Sequence, residues 1–230
     1  SGALQANDFT VTFERNGGVA ANAVVSSIKK NNNTSEGSAG ALTGGETVIR
    51  MFLTLTGTPA GVETIKVTPV ANNVFNSSGT AMSTAAQITA NLTDKNGPYI
   101  TNTSINNTNT QATIALSEGA YSTNGGSGTL AKEDFSLAIA GGAATINSQT
   151  PTAISQSGNN YTLTFATSGT ANGLEVLTVS PVANSIYDAG GNVSTAQQSN
   201  NTVNLYDKRL SENTNLEHDL YYARDNNLIQ

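Results

Sequence analysis

The chain has 230 residues, enough for one or two domains that each bury a core. It contains no Cys, no Trp and one His, and only 11% of it is charged, which removes thiol chemistry, disulfide frameworks and most metal or histidine chemistry. Net charge is −6, with Lys and Arg scattered singly apart from Lys29-Lys30 and Lys208-Arg209, so no basic stripe exists to neutralise nucleic acid phosphates.

Taken in chain order, the sequence begins at Ser1 without Met, as a processed secreted protein or a fragment of a longer one would. Phe9 to Phe13 alternates apolar and polar residues, the period of a half-buried strand. Lys29 to Gly45, made of Lys, Asn, Ser and Gly, reads as a surface loop. Val48 to Leu55 and Glu63 to Pro69 return to strand patterning with β-branched residues. Asp94-Lys-Asn96-Gly-Pro98 is a polar turn, and Gln111 to Glu118 alternates again. Tyr161 to Phe165 and Val176 to Val179 are further strands. Ser, Thr and Asn together supply 83 residues, which favours strands and turns over helices throughout. No apolar run approaches 18 residues, so helical membrane insertion is not expected.

The last stretch differs, with seven charges in residues 208–230. Thr214 and Glu217 have capping-box spacing, and Leu216, Leu220, Ala223 and Asn227 share one helical face. Tyr221, Tyr222 and Leu228-Ile229 would equally serve an extended segment docking on a neighbour, and both readings stand.

An internal repeat organises the rest. Gly61-Val-Glu63-Thr-Ile-Lys-Val67-Thr-Pro69-Val-Ala-Asn72 matches Gly173-Leu-Glu175-Val-Leu-Thr-Val179-Ser-Pro181-Val-Ala-Asn184 at a shift of 112. Leu4 to Phe9 pairs with Leu130 to Phe135 at a shift of 126, so the first copy carries about fourteen extra residues, which fall in the Lys29 to Gly45 loop. Residues 111–118, which precede the second copy, have no counterpart before the first. The expected fold is all-β: two tandem immunoglobulin-like antiparallel sandwiches, residues 1–97 without an opening strand and residues 98–208, then a charged tail over 209–230. A sandwich lacking a strand invites one from another chain, and a window cut from a longer array of repeats gives the same pattern.

Gly-Leu-Glu175, Val-Ser-Pro181 and Ile-Tyr-Asp188-Ala-Gly-Gly-Asn192 resemble the tandem bacterial Ig-like repeats of large surface adhesins and motility-associated surface proteins. The resemblance spans residues 1–208; the first copy replaces the Asp-Ala-Gly-Gly-Asn turn with Asn76-Ser-Ser-Gly-Thr80. It implies a stalk, filament or adhesive module at the cell surface, and it carries over no catalytic residue.

Candidate site chemistry is sparse. Asp94-Lys-Asn96-Gly-Pro98 loosely resembles the cadherin inter-repeat linker, and Asp94 and Asn96, with Glu63 or Glu118 reaching in, are candidate calcium ligands; a polar turn is the competing reading. Asp188 with Asn192 is a second candidate, though Asn76 in the first copy is uncharged. Glu63 and Glu175 are repeat equivalents, which points to two copies of a structural carboxylate bonding nearby amides and not to a glycosidase pair. His218 lies among tail charges with no Gly-x-Ser-x-Gly elbow to serve, and Gly125-Gly126-Ser127-Gly128 has no following Lys to make a phosphate loop. The function expected is therefore non-enzymatic: an extracellular structural subunit of a filament or adhesin stalk, partnered by copies of itself or neighbouring repeats through β-strand complementation. The alternative is a carbohydrate- or calcium-dependent surface-binding module, with specificity in the Lys29 to Gly45 loop and a surface glycan as partner.

Overall fold

The structure, a computed structural model, describes residues 2–209; the helical or extended alternatives for the tail lie outside the described residues. The chain is almost entirely β, in several antiparallel sheets. Among the described residues there is no α-helix, and so none long and apolar enough to cross a membrane. Two compact units divide the chain, Ser1–Asn96 and Gly97–Gln230.

The first unit holds β1 (Phe9–Glu14), β2 (Asn22–Lys30), β3 (Ile49–Thr56), β4 (Thr64–Pro69) and β5 (Ile88–Asn91). They form a three-stranded sheet in the order β1-β4-β5 and a separate β2-β3 hairpin. The second unit holds β6 (Ile100–Ile105), β7 (Gln111–Leu116), β8 (Phe135–Ala140), β9 (Thr145–Ile146), β10 (Ala153–Ser157), β11 (Asn160–Thr164), β12 (Thr167–Ser168), β13 (Val176–Pro181) and β14 (Thr202–Asn204). Its main sheets run β14-β13-β8 and β10-β11-β7-β6, with a short β12-β9 pair.

The repeat read from sequence is reproduced in the strand register. Val11 faces Val67 as Leu137 faces Val179, and Phe9 faces Pro69 as Phe135 faces Pro181. In the second sheet Ile28 pairs with Met51 as Ile154 pairs with Leu163. Each match keeps the offsets of 126 and 112, so β1, β2, β3 and β4 correspond to β8, β10, β11 and β13. A 3-10 turn precedes β1 and β8 alike, with Asp8 and Asp134 Oδ2 accepting the N–H of Gln5 and Ala131. Asn72 and Asn184 take the same left-handed conformation, φ 59° and 57°, which Asn tolerates better than most residues.

The two units differ at one edge. In unit 2, β7 lies between β11 and β6 and turns Ala112, Ile114 and Leu116 into the core. That core is one cluster, joining them to Phe135, Leu137, Tyr161, Leu163, Leu177 and Val179 among others. In unit 1 no described strand corresponds to β6 or β7, and β3 pairs on one side only. The expectation from sequence was one missing strand; β6 makes it two. A β-bulge between Ile100 and Asn102 shifts the alternation of β6, which is why residues 100–105 do not read as a strand by period. The loop expected from Lys29 starts later, because β2 runs through Lys30.

Candidate functional site

Two features stand out: a buried carboxylate repeated in both units, and an apolar groove confined to the first. Glu63 and Glu175 enter the strands β4 and β13 from a preceding Gly turn and are both fully buried. Glu63 accepts the Ala20 N–H on Oε1 and the Ala60 N–H on Oε2, each at 2.9 Å. Glu175 accepts Ala143 and Ala144 on Oε1 at 2.7 and 2.9 Å, Gly173 on Oε2 at 3.0 Å, and Asn172 on both oxygens. Burial pushes the Glu175 carboxyl up, but the amides of Ala144, Ala143 and Asn172 outweigh it and hold the group at about 2. Glu63 is lowered by the same balance, burial opposed by the Ala20 and Ala60 amides. Through these bonds each carboxylate ties a loop to a strand. This is the amide-bonding role the repeat suggested.

Gly18 and Gly142 make room for these carboxylates. A Cβ at either position would sit 2.2 Å from the Glu63 or Glu175 carboxyl, so both positions exclude a side chain. The β1–β2 and β8–β9 loops approach Glu63 and Glu175 closely at these glycines, which no strand-period argument reveals.

The groove lies in unit 1 on the side where β7 has no counterpart. It has a volume of about 370 Å³ and is lined by Phe9, Ile49, Met51, Val67 and Val74, among others. Under the offsets 126 and 112 these five correspond to Phe135, Tyr161, Leu163, Val179 and Ile186, all at most 1% exposed in unit 2. In unit 1 the five are part-exposed, and Ile88 beside them on β5 is 67% exposed. The hydrophobic residues buried in unit 1, among those described, are Ala20, Ala23, Ala39 and Leu92, and of these only Ala20 is fully so. Unit 1 therefore has the frame of the sandwich with its core laid open. In unit 2 the cluster that holds the five counterparts also takes in Ala112, Ile114 and Leu116 of β7 and Ile100 of β6.

The loop between β2 and β3 satisfies itself. Glu36 Oε1 accepts Ser26 at 2.9 Å and also Ser27, Lys29 Nζ donates to the Glu36 carbonyl, and Glu46 accepts the Thr43 and Gly44 N–H groups. Ala39 is buried beneath it.

The predicted calcium ligands are distributed as follows. Glu63, expected to reach a junction site, is instead turned into its own unit on Ala20 and Ala60. Asp94 Oδ1 accepts the Asn96 N–H at 2.9 Å, the polar turn anticipated as the competing reading. In unit 2, carboxylate oxygens of Glu118 and Asp188 lie within 4.8 Å of each other. Asp188 is buried and accepts the Asn192 N–H and side-chain amide, both at 2.7 Å. Asn192 thus acts on Asp188 as a donor, with its Nδ2 turned toward the carboxylate. Of the tyrosines, Tyr161 is core, Tyr187 donates its hydroxyl to the Asn184 carbonyl, and Tyr99 is 37% exposed.

No family model, no curated protein and no solved structure matches this chain.

Proposed function

We propose that this chain is a non-catalytic structural subunit of an extracellular surface filament or adhesin stalk, in which the first unit accepts a β-strand from another polypeptide. The observation that carries the reading is the groove of unit 1, whose lining residues are the counterparts of residues that share one buried cluster with Ala112, Ile114 and Leu116 of β7 in unit 2. An extended segment laid along β3 would gain main-chain hydrogen bonds from the edge and bury alternate side chains, the β-augmentation mode of recognition. The low charge, the absence of Cys and the Ser/Thr/Asn-rich strands support a module that bears contacts and does no chemistry. Both buried glutamates are consumed by backbone amides, which supports the absence of a catalytic role.

The natural probe is the β7 sequence itself. A labelled peptide of residues 108–118, titrated onto the full chain, is expected to bind with a dissociation constant on the order of 100 µM, since Ile114 and Leu116 at roughly 2 kcal/mol each, with a smaller part from Ala112 and the edge hydrogen bonds, are the main gain. The same peptide carrying Ile114→Asp is expected to bind at least about tenfold more weakly. Absence of binding at millimolar peptide overturns the reading.

A further inference from the structure

We infer that the strand accepted by unit 1 is supplied by residues 210–230 of a second copy of this chain, so that copies join head to tail. The inference rests on the strand-accepting role proposed for unit 1 and names the donor.

Its first ground is the order of elements in the repeat. Unit 1 closes with β5, after which Leu92 donates its N–H to the Glu63 carbonyl; unit 2 closes with β14, after which Leu205 donates to the Glu175 carbonyl. After the first of these closures the chain runs into residues 98–118, which supply β6 and β7 to the sandwich that follows. After the second it runs into residues 210–230. That segment stands where the repeat delivers an opening strand pair to the next unit. Among the described residues, unit 1 lacks such a pair.

The second ground is side-chain pattern. In an extended segment Leu216, His218, Leu220 and Tyr222 fall on one face, with Glu217 and Asp219 on the other. The first set suits the open groove. The second has a counterpart on β3, where Arg50 alternates with the groove residues Ile49 and Met51 and pairs in register with Lys29. In unit 2 the position of Arg50 is held by Thr162, whose hydroxyl lies 3.0 Å from that of Thr113 on β7. A Thr–Thr contact in the closed unit is thus replaced by cations on the open one, and the tail carries carboxylates to meet them. Arg50 is held toward the hairpin end by Asn31 Oδ1, at 2.8 and 3.0 Å. A donor on one end and an acceptor on the other form a heterologous contact, which propagates as a linear chain.

The test uses the full chain in sedimentation velocity over a rising concentration series, with fluorescence anisotropy of a 210–230 peptide alongside. The full chain is expected to form dimers and longer species, and Leu216→Asp with Leu220→Asp to leave it monomeric. The 210–230 peptide is expected to compete with the 108–118 peptide for the groove. Arg50→Glu should weaken the tail peptide by about tenfold, and Glu217→Lys with Asp219→Lys in the peptide should restore binding to that variant. A full chain that stays monomeric at all concentrations, or assembly indifferent to the tail substitutions, overturns the inference. If the 108–118 peptide binds and the 210–230 peptide does not, the donor assignment falls and the accepting role stands; if neither binds, both fall.

Discussion

A glutamate with no exposed surface is costly unless its charge is answered, and Glu175 shows how amides alone can do this. Four backbone N–H groups converge on it, so the ionised form is favoured in the folded state and its pKa drops from 4.5 to about 2. A folded pKa below the unfolded one means that the stabilisation is complete above about pH 5, declines as the pH falls, and is gone near pH 2. Replacing Glu175 by Gln puts a donor against donors and removes the charge. The expected result at pH 7 is a loss of about 2–3 kcal/mol in urea unfolding of unit 2, with a flatter pH dependence between pH 5 and pH 2 than the parent. Gly142→Ala tests the same clasp sterically. Its Cβ would meet the Glu175 carboxyl at 2.2 Å with φ at +63°, so overpacking of about 1–3 kcal/mol adds to about 1 kcal/mol of left-handed strain. Gly18→Ala in unit 1 meets Glu63 with no such φ penalty, and its unfolding midpoint should fall less. The pairing of Glu63 with Glu175 was visible in the sequence as a repeated Gly-x-Glu. The clasping loops were not, because Gly18 and Gly142 lie in turns between strands, where alternation carries no signal.

At the scale of the element, β7 is the difference between a closed sandwich and an open one. Ile114 is fully buried, so Ile114→Ala is expected to cost about 2–4 kcal/mol in unit 2. Met51 and its counterpart Leu163 give the sharper comparison. Leu163→Ala removes a side chain with no exposure and should cost about 2–5 kcal/mol, whereas Met51→Ala truncates one that lines the groove and should cost about 1 kcal/mol or less until a strand is docked. Urea unfolding with and without the 108–118 peptide separates the two cases. Much of this was legible beforehand: the strands β1, β3 and β4, the repeat offsets and the long loop all follow from alternation and self-comparison. β6 was not, since its bulge breaks the period between Ile100 and Asn102. The openness of the groove was legible as a missing strand but not as a surface, because alternation marks which side chains turn inward and is silent on what covers them. For the candidate ligands, sequence gave residue types without orientation: Glu63 and Asp188 are both acids with all the donors they need close at hand.

For the whole molecule, the unequal cores of the units lead to unequal stability. Folding must offset the conformational entropy of each ordered residue by burying apolar surface, and the two units share a backbone frame while differing in how much they bury. Unit 2 gathers its aromatic and aliphatic side chains into one closed cluster, whereas the equivalent residues of unit 1 border a groove. Thermal unfolding of the full chain should therefore show two transitions, the lower belonging to unit 1. Hydrogen exchange identifies them: amides of β3 and β5 should exchange at temperatures where those of β11 and β13 remain protected. A strand that binds folded unit 1 raises that lower transition by linkage. At a free peptide concentration 100 times the dissociation constant the gain is about 2.7 kcal/mol, and the upper transition should not move. The same measurement on the chain alone at rising concentration reports on assembly, because a donor carried by another copy makes the lower transition climb with protein concentration while a donor within the same copy leaves it fixed.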